Sequence, residues 1–130
     1  SIVIDVGESD GVKVGDLVLS GEFIIGDVRE VFKDYSRATL ISAPGEISSV
    51  RIGASGIDTE AFGRGGGNFF AKLPKEILVQ KGDLIKSSGI KPKFFGIVED
   101  VELTEADTFQ TIFFRLPVNM YTLDWVEVVG

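Results

Sequence analysis

Gly15-Asp16-Leu17-Val18, followed by Gly26-Asp27-Val28-Arg29-Glu30-Val31, decides the reading of this chain because the phrase returns. The second copy is Gly82-Asp83-Leu84-Ile85, followed by Gly96-Ile97-Val98-Glu99-Asp100-Val101, about half the chain further on. Both copies sit between stretches with strand character. A backbone device used twice predicts two related β-units, and so a scaffold and not a unique catalytic constellation.

Working outward, short runs rich in Val, Ile and Phe alternate with Gly and Asp, the pattern of small β-barrels. Candidate strands are Ile2 to Val6, Leu17 to Leu19, Phe23 to Phe32, Ala38 to Ser42, Ser49 to Ile52 and Ile57 to Phe62. The series continues with Asn68 to Lys72, Leu84 to Ser87, Phe94 to Val101, Thr108 to Leu116 and Trp125 to Val129. Ser9-Asp10-Gly11 and Lys81-Gly82-Asp83 supply the positive-φ residue that a tight turn demands. Helix is scarce; one turn is expected at Val118 to Asp124, after Pro117. The fold class is therefore all-β, with two small Greek-key-like β-barrels and little helix. Residues 1–53 form the first, closed by the returning C-terminal strand in 125–130, and residues 54–124 form the second.

With 130 residues, 44% of them hydrophobic, the chain can bury a core. Each unit has only about 65 residues, close to the lower limit for independent folding, so the units should lean on each other or on a partner. Thirteen basic against 20 acidic residues give a net charge of −7, which lacks the basic field that nucleic-acid backbones require. No apolar run approaches the length of about 20 residues needed to span a bilayer, and no signal peptide opens the chain. It starts at Ser1 without an initiator Met and reads as a piece of a longer polypeptide.

The sequence contains neither cysteine nor histidine. Thiol nucleophiles, disulfides, thiolate zinc sites, Ser-His-Asp catalysis and His-based metal sites are excluded together. Ser48 and Ser49 have no imidazole base, and no signature selects a lysine to replace it. Glu99-Asp100 could supply glycosidase carboxylates, but neighbours on a strand point to opposite faces, so a solvated strand edge is the better reading. The run Gly63-Arg64-Gly65-Gly66-Gly67 lacks the Lys-Ser/Thr of a phosphate loop and leads into a strand instead of a helix; it reads as a hairpin connection. Asp5, Asp10 and Asp16 do not have calcium-loop spacing and read as turn formers. No cofactor or metal is expected.

Three adjacent pairs are more informative: Phe69-Phe70, Phe94-Phe95 and Phe113-Phe114. Consecutive strand residues face opposite ways, so one ring of each pair must leave its own barrel. Most of the outward rings are expected in the seam between the units. The functional alternative makes all six residues candidates for a partner or self-association surface.

The order and spacing of several phrases carry a resemblance. Val3-Ile4-Asp5-Val6-Gly7-Glu8-Ser9-Asp10-Gly11-Val12-Lys13-Val14-Gly15-Asp16-Leu17-Val18 opens the chain, with Ile25-Gly26-Asp27-Val28-Arg29-Glu30-Val31 and Tyr35-Ser36-Arg37-Ala38-Thr39-Leu40-Ile41 after it. Further along come the glycine run before Leu73-Pro74, Val79-Gln80-Lys81-Gly82-Asp83-Leu84-Ile85-Lys86-Ser87-Ser88-Gly89, Gly96-Ile97-Val98 and Leu123-Asp124-Trp125-Val126-Glu127-Val128-Val129. Together they resemble the extracytoplasmic β-domain of the MreC family of rod shape-determining proteins, over nearly the whole chain. Ile90-Lys91-Pro92-Lys93-Phe94-Phe95 departs from the family, which usually has a longer, glycine-richer loop there.

The resemblance implies a non-enzymatic scaffold outside the cytoplasmic membrane, on the periplasmic side, anchored through an N-terminal membrane helix absent from this sequence. It further implies self-association into dimers or filaments, and work with MreD, RodA, the MreB cytoskeleton and a class B penicillin-binding protein in peptidoglycan synthesis. Two rivals are an adaptor barrel of a membrane-fusion protein, where Val14-Gly15-Asp16-Leu17-type phrases also occur, and a carboxylate-dependent hydrolase of cell-wall glycan.

Overall fold

The computed structural model describes residues 1–53, 56–120, 122–123 and 125–130. Its strands are β1 (Ile2–Ile4), β2 (Leu17–Ser20), β3 (Phe23–Val31), β4 (Ser36–Leu40), β5 (Ile47–Ile52) and β6 (Asp58–Gly65). They continue as β7 (Asn68–Pro74), β8 (Leu84–Ser87), β9 (Phe94–Glu102), β10 (Phe109–Arg115) and β11 (Glu127–Val129). The all-β class expected from the sequence is what the chain adopts. A single 3₁₀ turn at Glu8–Asp10 is the only helical element among the described residues, ended by left-handed Gly11 at φ 84°.

The helical turn expected at 118–124 is absent from its described part, which is a series of bends and turns with Thr122 N donating to Asn119 O at 3.3 Å; Tyr121 and Asp124 lie outside the described residues. So do residues 54 and 124, which bound the second expected unit.

Both copies of the glycine-acid phrase fold alike. Gly15 N donates to Val28 O and Val28 N to Asp16 O, each at 2.8 Å; Gly82 N donates to Val98 O and Val98 N to Asp83 O at the same distances. Each aspartate caps its own turn, Asp16 accepting from Lys13 N and Asp83 from Gln80 N at 2.9 Å. Gly15 and Gly82 take φ of 94° and 93°, a region open to glycine at no steric cost.

Around the second phrase six strands close on themselves in the order β5, β6, β7, β10, β9, β8 and back to β5, all antiparallel. Around the first lies a five-strand sheet ordered β1, β4, β3, β2, β11, with β1 and β11 at its edges. The units meet where Phe23 of β3 pairs in parallel with Phe94 of β9. One apolar cluster runs through both, from Val18, Ile25 and Val28 to Ile52, Phe69, Ile85 and Phe114. Arg29 pairs with Asp27 on its own strand at 2.8 Å and ties β3 to the approach of β5 through Glu46 at 2.9 Å. Its pKa is raised above the ordinary guanidinium value by the Asp27 hydrogen bond first, and also by Glu46, so it stays charged.

Buried polar groups are few and mostly partnered. Gln110 Nε2 donates to the carbonyls of Pro74 and Ile77, and the Ser42 hydroxyl accepts from Gly67 N. Ser36 is the exception: its hydroxyl is fully buried on β4 without a partner. An unmet buried polar group costs about 1–3 kcal/mol. Ser36→Ala is therefore expected to leave the urea midpoint unchanged or to raise it, by up to about 1 kcal/mol of stability. A clear drop in midpoint would show that the hydroxyl has a partner in solution.

Candidate functional site

Strand alternation sorts the three phenylalanine pairs. Phe69 on β7, Phe95 on β9 and Phe114 on β10 point into the closed barrel and are buried, with ring centroids 4.9–6.0 Å apart. These three cannot touch a partner in the folded state. Phe70, Phe94 and Phe113 point outward, but they do not converge on one surface. Phe94 enters the seam, its ring 5.6 Å from Phe23 with the Lys86 ammonium 5.7 Å from its centroid. Of the outward rings only this one lies in the seam. Phe70 and Phe113 sit opposite each other across β7 and β10, on the barrel's outer face.

That face carries more apolar surface than the three pairs predicted. Phe62 of β6 is the cross-strand partner of Phe70, and Ile47 of β5 is the partner of Phe62. The result is a row of Ile47, Phe62, Phe70 and Phe113 across four adjacent strands. Phe62 and Phe70 stack at 5.0 Å between centroids, and the Arg64 guanidinium lies 5.0 Å from the centre of the Phe113 ring. Ile47, at one end, is 57% exposed. Such cross-strand aromatic pairs add about 0.2–1 kcal/mol each to the sheet, and leave an apolar stripe facing out. Phe62 and Ile47 were not singled out from the sequence. Phe62 ended the candidate strand Ile57 to Phe62, and Ile47 lay just before the candidate strand Ser49 to Ile52, which in the fold begins two residues earlier.

Beyond Phe113 the row meets an acidic rim. Phe113, Arg64, Asn68, Glu99, Asp100 and Glu102 line an open hollow of about 470 Å³. Glu99 is 3.7 Å from Arg115, and both are half-exposed. The carboxylates of Glu99 and Asp100 are solvated, on the part of β9 that runs past the end of β8 and is paired only with β10.

The remaining candidates resolve into structural roles. Ser49 Oγ donates to Ser88 Oγ at 3.0 Å, a contact between neighbouring strand ends. Asp10 accepts from Gly7 N at 3.0 Å and caps the 3₁₀ turn. Gly63–Gly67 forms the end of β6 and its turn into β7, with Gly65, Gly66 and Gly67 all at positive φ. Its amides point to the segment joining the two units: Gly63 N donates to Glu46 O at 2.9 Å, Gly65 N to Ser42 O at 2.6 Å and Gly67 N to Ser42 Oγ at 3.0 Å. Among the described residues no group of three or more Asp or Glu side chains is arranged to hold a metal ion.

Fold and surface together define an all-β domain in which a closed six-strand barrel joins a five-strand sheet and carries an apolar row on its outer face. Over residues 1–130 the chain matches the family described as "Rod shape-determining protein MreC, barrel core", and it belongs to that family. It is 25% identical over 118 residues to the cell shape-determining protein MreC of Haemophilus influenzae; the match takes in 85% of this chain and 34% of that protein. The chain thus spans about a third of the length of the curated relative. Among solved structures, MreC from Pseudomonas aeruginosa superposes with a TM-score of 0.88 at 25% identity, over 99% of this chain and 88% of that one. Another structure named MreC gives a TM-score of 0.89 at 25% identity, over 99% of this chain and 77% of that one.

Proposed function

We propose that this domain is a non-enzymatic scaffold of the bacterial cell-elongation machinery that helps to set cell shape by organising peptidoglycan synthesis enzymes. Family membership supports a shape-determining role. The observation that carries the mechanism is the outward row of Ile47, Phe62, Phe70 and Phe113, a contiguous apolar strip on a rigid closed barrel. In this reading the domain lies on the periplasmic side of the cytoplasmic membrane, in a protein anchored there. The strip serves self-association into dimers or filaments, or docking of a class B penicillin-binding protein, in a machinery that includes MreD, RodA and MreB. A scaffold of this kind acts by binding one arrangement of the transpeptidase more tightly than another.

The test is sedimentation velocity over a concentration series, with parallel titration of a cognate transpeptidase ectodomain. Phe70→Ser and Phe113→Ser are compared with wild type, and Phe94→Ser serves as the seam control. An aromatic anchor at the centre of an interface is worth about 2 kcal/mol, so each row variant should weaken association about 30-fold while remaining folded. A wild-type domain that neither self-associates nor binds the transpeptidase at high micromolar concentration would sink the reading.

A further inference from the structure

The apolar row on the outer face of the barrel ends at Phe113 in a hollow of uneven charge. Three acids, Glu99, Asp100 and Glu102, line it, against a single cation among the described residues, Arg64. Arg64 is taken up by the Phe113 ring, 5.0 Å from its centre, and Glu99 by Arg115 at 3.7 Å. Asp100 and Glu102 are left exposed and have no ion pair among the described residues; one oxygen of Asp100 accepts from Val101 N at 2.9 Å. An aromatic floor beside two unneutralised carboxylates suits an occupant that carries an apolar side chain next to cations.

The same chain displays a segment of that chemistry. From β8 into the approach to β9, Lys86-Ser87-Ser88-Gly89-Ile90-Lys91-Pro92-Lys93 holds three lysines in eight residues with no acid among them, in a chain of net charge −7. Ile90 is 100% exposed. Lys91 and Lys93 are exposed beside it and form no ion pair among the described residues, whereas the Lys86 ammonium is engaged by the Phe94 ring. The loop is pinned at its base: Ser87 N donates to Lys93 O at 2.8 Å, and Lys93 N to Ser87 Oγ at 2.9 Å. Pro92 fixes one further backbone angle, so the loop has little freedom to lose on docking.

We propose that the hollow at Phe113 is a self-association site and that its occupant is the Ile90–Lys93 loop of a second copy of this chain. Ile90 packs on Phe113, and Lys91 and Lys93 meet Asp100 and Glu102. The inference rests on the row being a contact surface, as proposed above, and names what its Phe113 end takes. The loop cannot fill the hollow of its own molecule. Lys93 precedes β9 and Asp100 lies near the far end of that strand, about 20 Å away at the rise of extended chain. The net charge of −7 on each copy does not prevent the contact, because repulsion between distant charges is screened beyond about 8 Å at physiological ionic strength, and the facing groups decide.

The experiment is sedimentation velocity of the 130-residue chain at physiological salt, up to high micromolar concentration, with two charge-reversed forms. One carries Lys91→Glu and Lys93→Glu, the other Asp100→Lys and Glu102→Lys; all four positions are exposed, so both forms should fold. Each form alone should associate at least about 10-fold more weakly than wild type, since like charges then face each other. Mixed in equal amounts the two should associate again, because the reversed loop of one meets the reversed hollow of the other. A mixture that stays monomeric while wild type associates overturns the proposal. Self-association that is lost in Phe113→Ser but kept in the loop reversal also overturns it, and leaves the row as a contact surface for some other part of the chain. A monomeric wild type whose row binds the transpeptidase ectodomain assigns the hollow to that protein and overturns only this proposal. Absence of both kinds of binding removes the functional reading together with it.

Discussion

Phe69→Ala is expected to remove about 3–5 kcal/mol of folding stability, the cost of emptying a buried aromatic site. Phe69 is fully buried, stacked on Phe114 at 4.9 Å and 10° and tilted against Phe95 at 4.9 Å. The site has little means of collapse, since its neighbours Ala61 and Ala71 are already small and the strand backbones are paired on both sides. A domain of this size has about 5–15 kcal/mol in total, so the variant sits near the unfolding threshold at room temperature. The adjacent substitution Phe70→Ala, one residue away but on the outer face, should cost about 1 kcal/mol or less as the loss of one cross-strand pair. Urea unfolding of the two variants reads the difference directly. Near-equal losses would mean that strand alternation does not set the energetics of this barrel.

That contrast was legible in the sequence because it depends on a local rule. Two adjacent phenylalanines on a strand must part, whatever the strand's neighbours. The turn glycines were legible for the same reason: Gly11 and Gly82 each stand beside an aspartate in a turn, and each takes a left-handed conformation. β8 begins and ends at Leu84 and Ser87 as expected, between a Gly-Asp turn and Ser88-Gly89. What depends on register was not legible. The row that joins Ile47 to Phe113 exists only because β5, β6, β7 and β10 are paired with particular offsets, and no residue in one strand encodes its partner's offset. The Pro117 signal for a helical turn failed because one turn has little cooperativity of its own and tertiary context decides it. The 3₁₀ turn at Glu8–Asp10 was read as a plain turn, since the backbone bonds that define it, Asp10 N to Gly7 O and Gly11 N to Glu8 O, leave no mark in sequence beyond the Ser9-Asp10-Gly11 turn signal.

Gly63→Ala should be among the most damaging single-methyl additions available, and the reason lies in what the glycine run does. From sequence the run is a hairpin with room to spare. In the fold it is a bed for the segment that links the two units. A β-carbon at Gly63 would lie 2.3 Å from the Ala43 carbonyl oxygen, 2.7 Å from the Ser42 carbonyl carbon and 2.8 Å from the Ser42 oxygen. All three are backbone atoms, so no side chain can swing away. The connector must lift, which strains the bonds from Gly63 N to Glu46 O and from Gly65 N to Ser42 O, together with the Gly67 amide that meets the Ser42 hydroxyl. Overpacking of this kind costs about 1–3 kcal/mol where neighbours can yield, and each buried bond lost adds about 1 kcal/mol, so a total loss of about 3 kcal/mol or more is expected. Strain at the seam should also loosen the two units from each other before either unfolds. Hydrogen exchange separates the effects: amides of Gly63, Gly65 and Gly67 should lose protection first, while Ile112 and Phe114 on β10 keep theirs until global unfolding. Wild-type protection at those glycines, with an unchanged urea midpoint, would show that the connector does not rest on β6 in solution and that the two units are held together by the β3–β9 contact and the shared apolar cluster.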